Sequence, residues 1–154
     1  MKLIVLDIDG VICSDGSQIE SESVDALWWI CHLSHAVVAI SSSRRTKEPG
    51  IGWIADTLED RGITVVAQTV DLPYSSNMHS DRVDEIVDLV RRMGPDNWLA
   101  IDDLPLPLLT IPDRAGISCE QMRLHHLQTE FLTGLQHHHI HDAVHILSRR
   151  PAYP

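Results

Sequence analysis

Two pairs of carboxylates, a run of hydroxyls and arginines, and one further arginine hold most of the chemistry available to this chain. Asp7 and Asp9 follow the apolar run Leu3-Ile4-Val5-Leu6, and Gly10 comes next. Asp102 and Asp103 follow Asn97-Trp98-Leu99-Ala100-Ile101. In such a set one carboxylate attacks an electrophile while the acid two residues on handles protons, and together they offer hard oxygens to a magnesium ion. Acidic residues at two strand ends are hard to explain as packing, because buried unpaired carboxylates are costly. Ser41-Ser42-Ser43-Arg44-Arg45 follows the apolar residues 36–40. Hydroxyls and guanidinium groups at a strand end suit phosphate oxygens, since both donate hydrogen bonds and the arginines add charge. Arg82 is placed in the first turn of a helix, where a cation opposes the helix dipole and a role facing a bound anion is favoured.

Residues so far apart in sequence need a scaffold that gathers them at one edge. Residues 3–6, 36–40, 63–67 and 97–101 read as buried strands, each short, apolar and bounded by turn signals. The carboxyl ends of strands in an open α/β sheet form the ligand-binding edge. A helix from Ser21 or Ser23 to about Leu33, capped by one of those serines, has Val24, Leu27, Trp28, Ile30 and Cys31 on its apolar face. Trp28 and Trp29 read as core and shoulder. A second helix spans about 51–61 and stops at Gly62. A third, capped by Ser80 or Asp81, carries Val83, Ile86, Val87, Leu89 and Val90 and ends near Gly94-Pro95. Residues 68–80 read as a polar loop, and 104–112 as a Pro-rich apolar passage beside the site.

The order of these motifs resembles the haloacid dehalogenase (HAD) superfamily, whose members are mostly Mg²⁺-dependent phosphohydrolases and phosphotransferases. Asp7-Ile8-Asp9-Gly10-Val11 after a hydrophobic strand looks like its first motif. Ser41 or Ser42, preferred over Ser43 as nearer the strand end, looks like the second. The match is closest to small HAD proteins with a Ser-Ser-Ser-Trp-Arg type signature and to the phosphatase domain of phage polynucleotide kinase-phosphatase, although Arg44 stands where the first group carries Trp. Arg82-Val83-Asp84-Glu85-Ile86 resembles the Arg-x-x-Glu-Ile run that supplies the basic third motif, with Lys47 as its rival, and Asp102-Asp103 resembles the fourth. Residues 126–135 and a helix to about Leu147 look like the closing strand, Thr-Gly-Leu turn and helix of the small HAD group, which leaves 115–123 as an extra segment.

The resemblance implies an α/β, three-layer Rossmann-like fold with a central, mainly parallel sheet, capless, in a single HAD-like domain over residues 1–154. It also implies a two-step phosphomonoester hydrolysis with Asp7 as nucleophile, Asp9 as acid and base, and Ser41 or Ser42 with Arg82 gripping the phosphoryl oxygens. Mg²⁺ would be held by Asp7, the main-chain carbonyl of Asp9, and Asp102 or Asp103. Capless members favour bulky substrates, and Arg44, Arg45 and Lys47 form a basic cluster for a second phosphate or a strand end. The expected substrate is a 3′-phosphate at a nucleic-acid end; a small phosphate ester or nucleotide is the alternative. A non-catalytic module that binds phosphate and Mg²⁺ is the alternative outside the enzyme class, and the presence of both Asp7 and Asp9 speaks against it.

Composition narrows the partners. With 12 basic and 22 acidic residues the net charge is −10, which opposes extended binding along a duplex. Cys13, Cys31 and Cys119 are widely spaced and form no Cys-x-x-Cys pair, so reduced thiols are expected. No apolar run is long enough to cross a bilayer, and acidic residues as early as Asp7 leave no apolar signal-peptide core, so a cytoplasmic protein is expected. His137, His141 and His145 repeat every four residues on the expected last helix. A solvated face explains them better than a zinc or nickel site, because an exposed stripe lacks groups to orient the rings.

Overall fold

The computed structural model describes residues 1–13, 18–41, 52–70 and 78–149. The elements, in order, are β1 (Lys2–Leu6), α1 (Ser21–Ser34), β2 (Ala36–Ile40), α2 (Gly52–Asp60), β3 (Val65–Gln68), α3 (Met78–Met93), β4 (Asn97–Asp102), α4 (Leu106–Leu109), α5 (Pro112–Ala115), α6 (Cys119–Leu124), β5 (His126–Gln128) and α7 (His139–Ser148). The five strands form one sheet in the order β3-β2-β1-β4-β5, and every pairing is parallel.

Strand periodicity sorts the core into two layers. Ile4 and Leu6 of β1, with Val38 and Ile40 of β2, pack against Val24, Leu27 and Ile30 of α1, Ile54 and Leu58 of α2, and Ala143 and Leu147 of α7. Leu3 and Val5, with Ala39 and Ala100, face the other way and meet Val83, Ile86 and Leu89 of α3, Leu106 of α4, Ala115 of α5 and Met122 of α6. Helices thus cover both faces, as an all-parallel sheet requires. Asn97 at the start of β4 donates to the carbonyls of Ile146 and Arg149 at 2.9 and 3.1 Å, which ties the end of α7 to the sheet.

Several boundaries differ from the sequence reading. Ser21 is the first helical residue of α1, Glu20 holds the cap position, and no side chain caps the helix, so neither Ser21 nor Ser23 does so. Ser23 is instead buried. Helix α3 begins at Met78, which puts Ser80 and Asp81 inside it and Arg82 in its second turn. The dipole argument for Arg82 therefore lapses, since that effect fades beyond the first turn. β3 starts at Val65 because Ile63 closes α2 through a hydrogen bond to Leu58. The passage 104–112 contains α4, and the segment 115–123 contains most of α6, which has a capping box formed by Ser118 and Gln121. His137 precedes α7, so the four-residue repeat of His137, His141 and His145 does not lie on one helix. Among the described residues no helix is long and apolar enough to cross a membrane.

Candidate active site

The parallel register brings three strand ends level. Leu6 pairs with Ile40 on one side and with Ile101 on the other. The next residues continue the ladder: the amide of Asp7 donates to Ile101 O at 2.9 Å and that of Ser41 to Leu6 O at 2.7 Å. Asp7, Ser41 and Asp102 therefore sit side by side at the carboxyl edge of the three central strands, and all three are buried. Each follows its strand's alternation onto the face covered by α3.

Arg82 reaches this edge from α3. Its Nη1 donates to Asp7 Oδ1 at 2.8 Å, to Asp102 Oδ2 at 3.2 Å, and to the main-chain oxygen of Ser41. Arg114 of α5 holds the same helix, bridging Asp81 at 3.0 Å and also Asp84. The buried guanidinium and carboxylates set one another's charge. Burial opposes the charge on Arg82, but Asp7 and Asp102 outweigh it and raise its pKa. Burial raises the pKa of Asp7 against the pull of Arg82. Burial, and then the charge of Asp7, push Asp102 up to about 8, although Arg82 and the amide of Leu104 favour its ionised form.

Carboxylate oxygens of Asp7, Asp102 and Asp103 all lie within 4.8 Å of one another. Burial and repulsion within the cluster oppose the ionisation of Asp7 and Asp102, so a small divalent cation, which suits hard oxygens so placed, would favour their charged forms. Residues and charge thus fit magnesium. The carboxylate of Asp9 is not part of this group; Asp9 is half-buried in the turn, where it forms a bridge with Cys13.

The turn itself is built on Ile8, whose carbonyl accepts from the amides of Val11, Ile12 and Cys13 at 3.2, 3.0 and 3.0 Å. Gly10 has φ +76°, and a Cβ there would stand 2.9 Å from Asp103 Cβ and Cγ and from Phe131 Cδ2. Only glycine meets both the backbone conformation and the close approach of the fourth motif.

Ser41 keeps a buried hydroxyl with no hydrogen-bond partner among the described residues, an arrangement that normally costs about 1–3 kcal/mol. It lies at the strand end next to that of Asp7. Ser42, Arg44, Arg45 and Lys47 lie outside the described residues.

Three further residues belong to this edge: Thr69, which the sequence places in a polar loop, and Thr129 and Leu135, which it places in the closing strand and Thr-Gly-Leu turn without a role at the site. Thr69, one residue past β3, is buried, and its hydroxyl has no partner among the described residues, while its amide donates to Ile40 O at 2.9 Å. A hydroxyl two residues past the run 63–67 was its signal, weaker than that of Ser41, which follows residues 36–40 directly. Thr129 donates its hydroxyl to Gly10 O at 2.7 Å and its amide to Asp102 O at 3.2 Å. Leu135 donates its amide to Val11 O at 2.7 Å. The passage after β5 thus clasps the turn that carries Asp7 and Asp9.

The family model described as the HAD domain in Swiss Army Knife RNA repair proteins matches residues 3–140. Among solved structures, the chain is similar to D,D-heptose 1,7-bisphosphate phosphatase from B. bronchiseptica, complexed with magnesium and phosphate. That likeness has 20% identity over 67% of this chain and 70% of that one, with a TM-score of 0.46. No curated protein matches the sequence.

Proposed function

The chain belongs to the family of HAD domains in Swiss Army Knife RNA repair proteins and is a HAD-type phosphatase, and from that premise we propose that it hydrolyses 3′-phosphate ends of nucleic acid, with Mg²⁺, through an aspartyl-phosphate on Asp7. The observation that carries the mechanism is the convergence of Asp7, Asp102 and Asp103 beside Arg82 and the unpartnered hydroxyl of Ser41.

Asp7, Asp102 and Asp103, with the main-chain carbonyl of Asp9, would hold Mg²⁺, which when bound neutralises the carboxylates and the phosphate that must meet here. A carboxylate oxygen of Asp7 attacks phosphorus, and the bond from phosphorus to the leaving oxygen breaks as Asp9 gives that oxygen its proton. Asp9 then takes a proton from water as the water attacks the phosphoryl group, which releases phosphate and restores Asp7. Ser41, with Ser42 next in the chain, donates to the phosphoryl oxygens. Arg82 holds Asp7 in place and offsets negative charge as it builds during transfer.

The substrate reading draws on the RNA repair proteins in which this family's domains occur. It draws also on the sequence, where Arg44, Arg45 and Lys47 closely follow Ser41 and supply cations for a strand end. The test is phosphate release from an aryl phosphate, mononucleotides, and 3′- and 5′-phosphorylated oligonucleotides, each with Mg²⁺ or EDTA. Release is expected with Mg²⁺, fastest from the 3′-phosphorylated oligonucleotide. Asp7→Asn is expected to abolish release from every substrate while the protein stays folded; substantial residual hydrolysis would remove Asp7 as the nucleophile. Fastest release from a mononucleotide or the aryl ester would move the substrate to the small phosphate esters.

A further inference from the structure

The passage that clasps the catalytic turn also carries an exposed apolar step. Phe131 and Leu132, between Thr129 and Leu135, are 50% and 82% exposed. Phe131 is the sole phenylalanine of the chain. Its ring edge and the carboxyl carbon of Asp103 both lie 2.9 Å from where a Cβ on Gly10 would stand, so the ring rests against the turn that bears Asp7 and Asp9. A cavity of about 530 Å³ opens there, lined by Asp103, Gln128, Thr129, Glu130, Phe131 and Leu132. That volume falls within the roughly 300–1,000 Å³ common for small-ligand sites.

Position and charge together limit what can occupy it. The cavity shares Asp103 with the carboxylate cluster. A group bound in it therefore adjoins the carboxylate cluster, within reach of a phosphate held there. Asp103 and Glu130 bring negative charge to the lining, which repels a second phosphate. The exposed ring of Phe131 and the side chain of Leu132 favour a flat, uncharged partner, and base–aromatic stacking accepts every base because each has a π-face.

We propose that this cavity is the subsite for the base of the nucleotide that carries the scissile phosphate, with Phe131 as its stacking partner and Leu132 covering the edge of the ring. This subsite rests on the nucleic-acid reading given above. It lets the enzyme recognise an end by its last base, which suits a protein whose net charge of −10 disfavours extended contact with a polyanion.

The experiment compares two 3′-phosphorylated oligonucleotides, identical except that one ends in an ordinary nucleotide and the other in a tetrahydrofuran abasic analogue. Full-length protein with Mg²⁺ is expected to favour the base-bearing end through a KM lower by about tenfold or more, the size that stacking of one base supplies. Phe131→Ala should bring the ratio of the two KM values close to one, and Phe131→Trp should preserve it. Leu132→Ser, at a position too exposed to threaten the fold, should reduce the ratio several-fold. Equal KM values in the unaltered protein, or a ratio that survives both Phe131→Ala and Leu132→Ser, would overturn the subsite. Turnover of an aryl phosphate but of neither oligonucleotide would instead overturn the nucleic-acid reading, and the subsite with it.

Discussion

Arg82 answers to three acceptors with one nitrogen: the carboxylates of Asp7 and Asp102 and the carbonyl of Ser41. Removing one member of a buried ion pair leaves its partner charged and unpaired, which commonly costs about 3–5 kcal/mol. Arg82→Ala is expected to lose stability on that order in EDTA, read from denaturant midpoints, and to regain part of it in Mg²⁺. Unchanged stability in EDTA would mean that the carboxylates are neutral without Arg82. His126 in β5 sets a different dependence. Burial pushes its imidazole down to about 4, from an ordinary value near 6.5. The unfolded chain therefore binds a proton here at a pH where the folded chain does not. The contribution of neutral His126 to stability is whole above about pH 6.5 and is lost as the pH falls towards 4. His125 and His139, also lowered by burial, act in the same direction. In urea titrations across this range His126→Gln should show a shallower acid loss than the unaltered protein, and an identical slope would assign the loss to other groups.

At the scale of elements, the turn after β1 is fixed on both flanks: by Asp103, which follows β4, and by the passage that follows β5. Gly10→Ala puts a methyl group into both contacts at a backbone angle that other residues rarely adopt. It should cost about 1–3 kcal/mol, as strained backbone does, and lower kcat at least tenfold by displacing Asp7 and Asp9. Near-normal kcat would show that the turn has slack. The strands behind this geometry were legible as short apolar runs such as Leu3-Ile4-Val5-Leu6, and the acidic and hydroxyl residues ending them marked the site edge. Helices α4, α5 and α6 were not, because four to six residues are too few to display a helical period. The start of α3 was misplaced because Ser80 and Asp81 offered one capping signal and Asn77, just ahead of Met78, offered another, and composition alone does not choose between them. The clasp was invisible for another reason: Thr129 meets Gly10 across 119 residues, and nothing local to either announces the other.

For the molecule as a whole, charge and topology decide how it meets a substrate and how it comes to exist. A net charge of −10 leaves room for contact with only a few phosphates near the site. Each neutralised phosphate of a single strand contributes about −0.7 to the slope of log affinity against log salt. Hydrolysis of a 3′-phosphorylated oligonucleotide should accordingly show a slope of log kcat/KM no steeper than about −2; a much steeper one would reveal a long basic track. The sheet order places β1 at its centre, flanked by β2 and β4, while the clasp on β1's turn comes from beyond β5. Chains emerge from the ribosome amino end first. All four motifs are therefore synthesised by residue 103, yet Thr129 and Leu135, which pin the turn that carries Asp7 and Asp9, are still inside the translation machinery or not yet made. The nascent chain thus carries the residues of the proposed site well before it can hold their turn in place, and that arrangement is complete only once the passage after β5 has emerged.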